Sequence, residues 1–294
     1  MTMLRSMLFV PADSERKLAK AYAIGADALI LDLEDAVAAS RKDAARSMAR
    51  AYLDDRPQRT AQLWVRINPL DHADVLADLC AVVGGRPDGI MLPKAAGPAD
   101  IAQLGHWLDA LEAREGVAAG SIGIMPVASE TPAAALAMPS YADARLQRLV
   151  GLTWGAEDLS AAIGASTNRA DDGGWDMTYR MVRSTCLLAA HAAGVQPIDT
   201  LHADFRDVAG LRTSSEQASR QGFTGRLAIH PDQVAVINAA FSPTAQDVAH
   251  ARRVVAAFAA DATLGTTSLD GHMLDRPHLA QAERVLARHA AAIA

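Results

Sequence analysis

The chain is almost without cysteine. Cys80 and Cys186 are the only two in 294 residues. They lie far apart in helix-like stretches with no CxxC or Cys/His spacing, which excludes a disulfide framework and a structural zinc site. Both read as buried small apolar residues. A block of basic charge is missing too: acidic and basic side chains are interspersed and the formal net charge is −6, so a surface tracking phosphate backbones, and with it a nucleic-acid partner, is excluded. No apolar run approaches the length of a membrane span. The opening stretch MTMLRSMLFVPADSERK is interrupted by Pro11 and Asp13 too early for a secretory signal, so a cytoplasmic protein is the expectation. Phosphate-binding turns are lacking as well. No GxGxxG follows the first apolar run and no GxxxxGK[ST] occurs, which removes the usual dinucleotide and P-loop readings.

With 50% of its residues hydrophobic and 21% charged, the chain has the composition of a soluble globular protein and can bury a sizeable core. Eight short aliphatic runs follow one another: MLFVP, DALILDLED, LWVRIN, GIMLPK, IGIMPVASE, LVGLTWGAED, PIDTLHAD and RLAIHP. Helical patterns separate them. The first, SERKLAKAYAIG, carries Leu18, Ala21 and Tyr22 at helical spacing and stops at Gly25. Others are expected near 40–54, 71–83, 98–115, 157–164, 178–193, 205–220 and 231–240. Runs that are continuously apolar rather than alternating read as parallel strands covered by helices, and eight of them close a (β/α)8 TIM barrel of the α/β class. A doubly wound open sheet is the alternative. The barrel is expected over residues 1–240. Residues 241–294 form a helical extension: a helix near 244–261, a hinge-like TLGTTSLDG, and a last helix opened by Asp275 and Pro277.

Strand ends build the site of such a barrel. Asp32, Glu34 and Asp35 follow the second strand, Arg66 and Asn68 the third, Lys94 the fourth, Glu130 the fifth, Glu157 and Asp158 the sixth, and His230 the eighth. Crowded carboxylates repel unless a cation, a proton or cationic side chains balance them. Oxygen ligands with no Cys or His partner suit Mg²⁺, and a guanidinium suits a substrate carboxylate. Taken singly, each residue also has a structural reading. Asp32, Asp35 and Asp158 serve equally as helix caps or ion-pair partners, Glu130 precedes a helix opened at Pro132, and Lys94 is a solvated side chain. Their joint placement at successive strand ends is what favours a site.

The segments RSMLFVPAD, DALILDLEDAV, VRIN, MLPK, ASETP, WGAEDLSAAIG, GFTGRLAIHPDQV and DGHMLDRP resemble, in order and spacing, the signature segments of the citrate lyase β-subunit-like branch of the HpcH/HpaI aldolase superfamily. The resemblance covers almost the whole chain. It implies a Mg²⁺-dependent carbon–carbon lyase that cleaves a 3-hydroxyacyl-coenzyme A of the citryl-, malyl- or citramalyl-CoA type into an acyl-CoA and an α-ketoacid. A homotrimer or a hexamer of trimers is implied as well. Carried onto this sequence, it makes Glu130 and Asp158 the Mg²⁺ ligands and Arg66 the grip on the ketoacid carboxylate. Glu34 and Asp35 become the acidic pair beside metal-bound water. Arg5 and Lys94 fall at the coenzyme A entrance, and Asp275 on a lid, where it is a catalytic residue that reaches a neighbouring subunit. One departure is Ala12, where the family's first segment has Gly, so contact with the coenzyme A phosphate or pantetheine differs there. A malyl-CoA thioesterase and a Mg²⁺-dependent pyruvate aldolase share these features, and a coenzyme A-binding regulatory subunit is the non-enzymatic alternative.

Overall fold

Each aliphatic run that the sequence marks forms a strand in the computed structural model, which describes residues 3–260 and 265–293. The strands are β1 (Ser6–Pro11), β2 (Ala28–Asp32), β3 (Gln62–Arg66), β4 (Gly89–Leu92), β5 (Gly123–Pro126), β6 (Gly151–Leu152), β7 (Gln196–Asp199) and β8 (Gly225–Ala228). All pairing is parallel, in the order β5-β4-β3-β2-β1-β8-β7-β6. The remaining seam, between β5 and β6, is closed by parallel bridges Ile124↔Leu149 and Val127↔Thr153. The expected barrel is therefore the architecture, and the open-sheet alternative falls.

Helices α1 (Glu15–Ala21), α2 (Lys42–Asp54), α3 (Val75–Val82), α4 (Pro98–Glu115), α5 (Pro132–Ala137), α6 (Ala156–Ile163), α7 (Met177–Ala192), α8 (Val208–Gln221) and α9 (Pro231–Phe241) alternate with the strands. Gly25 takes the left-handed φ of 80° after a 3₁₀ turn that extends α1, as its place past a helical run requires. Cys186 is buried on α7, but Cys80 is exposed on α3. That corrects the reading of both as core residues, because α3 turns only one stripe inward.

The inward faces follow the two-residue period of a strand. Met7, Ala28, Ile30, Trp64, Met91, Met125, Ile198 and Leu227 share one buried cluster inside the barrel. Gly89 is needed opposite Trp64, since a Cβ there would collide with the indole ring. Continuing the same parity by two residues past Ile30 and Trp64 brings Asp32 and Arg66, which are register partners, to the C-terminal mouth.

Leu4–Asn238 forms one compact unit, and Ala239–Ala294 belongs to a second. In the second, α10 (Ala245–Ala259) opens with a capping box between Thr244 and Asp247. The expected hinge is instead a hairpin, β9 (Thr266–Leu269) with β10 (His272–Asp275); its first residues, 263 and 264, lie outside the described residues. Asp270 and Gly271 turn it, both with positive φ, as a two-residue hairpin loop demands. Leu279, Val285 and Leu286 of α11 (Arg276–Ile293) pack with Val254, Phe258 and Leu274, so the apolar stripe of the last helix finds its partner within its own unit.

Candidate active site

A cavity of about 640 Å³ opens at the C-terminal mouth of the barrel. Its wall takes Phe9 and Pro11 from β1, Asp32 from β2, Arg66 from β3, Glu130 after β5, Trp154 to Asp158 after β6, Thr200 after β7 and His230 after β8. This is where a parallel barrel presents its chemistry.

Asp32 and Arg66 are locked together. Arg66 donates from Nε to Oδ1 of Asp32 at 2.8 Å and from Nη2 to Oδ2 at 2.6 Å, while its Nη1 lies 2.8 Å from Oε2 of Glu34. The guanidinium also stacks over the Phe9 ring, 4.7 Å from its centroid. Burial alone would depress its pKa, but Asp32 and Glu34 more than offset that and hold it above the ordinary arginine value. A guanidinium has five N–H donors. Asp32 occupies the Nε side and Glu34 lies against Nη1 without hydrogen-bonding alignment. Among the described residues, the donors of the Nη1–Nη2 edge other than the one given to Asp32 therefore make no hydrogen bond and can face a second carboxylate.

Glu34 is 3% exposed and lies between the two cations of the site. It accepts from the Lys94 ammonium on Oε1, while Oε2, close to Arg66, lies outside hydrogen-bonding alignment with it. Desolvation raises its pKa, opposed by Arg66 and Lys94. Asp35 is exposed and lies 3.6 Å from the Lys94 ammonium.

Glu130 is 4% exposed. Desolvation, with Asp158 and Glu34 as like charges, pushes its carboxyl up to about 8 against the backbone N–H of Lys94, which donates to Oε2. No donor among the described residues engages its other oxygen, although the side chain lines the cavity. Room for that side chain depends on Gly155: a Cβ there would lie 2.9 Å from Cγ of Glu130. Asp158, in the first turn of α6, lines the same cavity, half-exposed. Among the described residues no three His, Cys, Asp or Glu side chains converge as a metal cluster. What is present is a pair of carboxylates, one of them desolvated with a free oxygen. That donor set fits a hard dication which takes few protein ligands and completes its shell with water and substrate oxygens.

Of the residues singled out by sequence, Glu34, Asp35, Arg66, Lys94, Glu130 and Asp158 are brought into one network. Arg5 is not. It precedes β1, at the opposite end of that strand from the cavity, and pairs with Asp27 at 2.8 Å. Asp275 belongs to the second unit, where its carboxylate contacts His278. The sequence reading missed two features. Arg16, Lys17 and Lys20 of α1 line the cavity, and no ion pair engages them among the described residues; their signal was a cationic face, i and i+4, directly after the first strand. Asp199, fully buried, accepts from the indole N–H of Trp154 at 2.8 Å and pairs with Arg183 at 2.9 Å and Arg226 at 2.8 Å. No local pattern announces that convergence of β6, α7 and β8.

Comparisons with known proteins place this geometry. A family profile described as HpcH/HpaI aldolase/citrate lyase matches residues 5–231. A citrate lyase subunit beta-like protein of Mycobacterium tuberculosis is 39% identical over 281 residues, covering 96% of this chain and 94% of the relative. The mitochondrial citramalyl-CoA lyase of Rattus norvegicus is 32% identical, covering 96% and 85%. Among solved structures, the protein CitE of Mycobacterium tuberculosis, in complex with magnesium, acetoacetate and coenzyme A, superposes with a TM-score of 0.80 at 37% identity, covering 98% of each chain.

Proposed function

Given that this chain belongs to the HpcH/HpaI aldolase/citrate lyase family, we propose that it is a Mg²⁺-dependent carbon–carbon lyase cleaving a 3-hydroxyacyl-coenzyme A into an acyl-CoA and an α-ketoacid. The observation that carries the reading is the arrangement of Arg66, clamped by Asp32 with one edge left over, across one cavity from the paired carboxylates Glu130 and Asp158. Its relatives include lyases by name, and a similar structure holds magnesium, acetoacetate and coenzyme A.

Glu130 and Asp158 would hold the Mg²⁺, which in such a site lowers the pKa of bound oxygens and stabilises developing negative charge. The free edge of Arg66 takes the ketoacid carboxylate and orients the bond to be broken. Glu34 or Asp35 accepts the hydroxyl proton as that oxygen becomes a carbonyl. The bond between the α carbon and the hydroxyl-bearing carbon then breaks, and its electron pair passes to the acyl-CoA as an enolate. Asp275 of an adjacent subunit, carried on the C-terminal extension as a lid, protonates the enolate carbon; this step presupposes the trimeric assembly of the family resemblance. Arg16, Lys17 and Lys20 supply positive charge at the cavity for the phosphates of coenzyme A.

Incubating the purified protein with citryl-, malyl- and citramalyl-CoA, with Mg²⁺ or with EDTA, and identifying the products by mass spectrometry tests the reading. A ketoacid and an acyl-CoA should be released from one thioester in Mg²⁺ only. Release of free coenzyme A with the hydroxyacid intact would mean thioester hydrolysis instead, and full turnover in EDTA or in Glu130→Ala would remove the metal.

A further inference from the structure

Lys94 is the one residue of the carboxylate network whose backbone is left-handed, with φ at 52°. An L-residue with a long side chain adopts that region only where surrounding contacts over-determine it, and here two do. The left-handed turn after β4 points the backbone N–H at Glu130. It also sends the side chain toward Glu34, which the ammonium contacts directly, with Asp35 at 3.6 Å and Asp158 at 3.8 Å. One residue therefore reaches both carboxylates assigned to the metal. Lys94 does not itself line the cavity.

Five carboxylates and two cations meet here, and Arg66 is shared between Asp32 and Glu34. Lys94 is thus the remaining counter-charge, its ammonium in contact with Glu34 and within 4 Å of Asp35 and Asp158 while its backbone N–H holds Glu130. An ammonium fixed within 4 Å of Asp158 neutralises part of the field that a dication would use, and repels that dication over a few ångströms at low effective dielectric.

We propose that Lys94 is a built-in counter-ion of the carboxylate cluster, holding Glu130 and Asp158 in position before a divalent cation binds and lowering the affinity for that cation. The inference rests on the Mg²⁺ reading of the site. It assigns Lys94 a positioning role in place of contact with coenzyme A.

Two substitutions separate the ammonium from the backbone. Lys94→Met keeps the apolar stem and removes the charge. Lys94→Gly removes the side chain and retains an N–H donor in a conformation that glycine adopts without strain. Mg²⁺ binding, with no thioester or ketoacid present, is measured by isothermal titration calorimetry for wild type, both variants and Glu130→Gln, with melting temperatures recorded in EDTA and in Mg²⁺. Both Lys94 variants should bind Mg²⁺ about tenfold more tightly than wild type, melt lower in EDTA, and gain more from added Mg²⁺. A purely structural lysine would lower the melting temperature without tightening the metal. Unchanged or weaker Mg²⁺ binding in both variants, beside a wild type that binds and a Glu130→Gln that does not, would overturn the role of Lys94 alone. A wild type that binds no Mg²⁺ would overturn the metal reading and this inference with it.

Discussion

At the scale of single residues, the decisive feature is the division of Arg66 into two working edges. Asp32 fixes the Nε side in a bidentate pair, and an ammonium cannot reproduce either the clamp or the free edge. Arg66→Lys should therefore weaken pyruvate or oxaloacetate binding by about thirtyfold or more, the scale of a lost charge-assisted hydrogen-bond pair. Calorimetry in Mg²⁺ measures this, and wild-type affinity would place the carboxylate elsewhere. Asp199 offers a separate residue-scale test. Burial alone would push its carboxyl up, but Arg226 and Arg183 outweigh that and hold it below its ordinary value of 3.8. A depressed folded-state pKa contributes stability that is present above the unfolded value and is lost as pH falls through the folded one. Asp199→Asn should thus cost about 3–5 kcal/mol at neutral pH, as breaking a buried pair does, and flatten the loss of stability below pH ~4. Melting temperatures from pH 3 to 7 decide it; an unchanged acid limb would show that other carboxylates carry that loss.

At the scale of elements, strands place side chains and close contacts tune them. The eight strands were legible because parallel strands covered on both sides must be continuously apolar. The parity that turns Asp32 and Arg66 inward was implicit in the same runs. Less legible were α5, only six residues long, and the hairpin of β9 and β10, whose small polar residues read as a hinge. Local composition does not distinguish a hinge from a hairpin unless the Asp270-Gly271 turn is weighted. The start of α6 is the element on which the metal pair most depends, since Gly155 makes room for Glu130 and the first turn that follows it brings Asp158 to the cavity. Gly155→Ala should displace the Glu130 side chain, abolish the calorimetric response to Mg²⁺ and destabilise the fold by about 1–3 kcal/mol, as local overpacking does. Mg²⁺ binding at wild-type strength in that variant would show that Glu130 has slack.

At the scale of the whole molecule, the proposed lid gives the sharpest test. If Asp275 serves the site of an adjacent subunit, Arg66→Ala and Asp275→Ala proteins, each inactive alone, should regain partial activity when refolded together, because some sites then combine an intact Arg66 with an intact Asp275. Subunit exchange is verified by mass spectrometry of differently tagged chains. Absence of recovery despite exchange would assign Asp275 to its own chain or to no catalytic role.

The sequence by itself determined the strand count, the order of strands and helices, and which polar residues stand at strand ends, because these are properties of local hydrophobic pattern and chain order. Its segments also sufficed to indicate the family. Only the tertiary structure decided who meets whom. It placed Arg5 against Asp27 at the far end of β1 and drew Arg16, Lys17 and Lys20 to the cavity. It spent one edge of Arg66 on Asp32 and buried Asp199 between two arginines. It also turned Lys94 left-handed so that one residue reaches Glu34, Glu130 and Asp158. The reason is physical: which charges pair depends on register, desolvation and distances between segments far apart in the chain, and a one-dimensional pattern carries none of these.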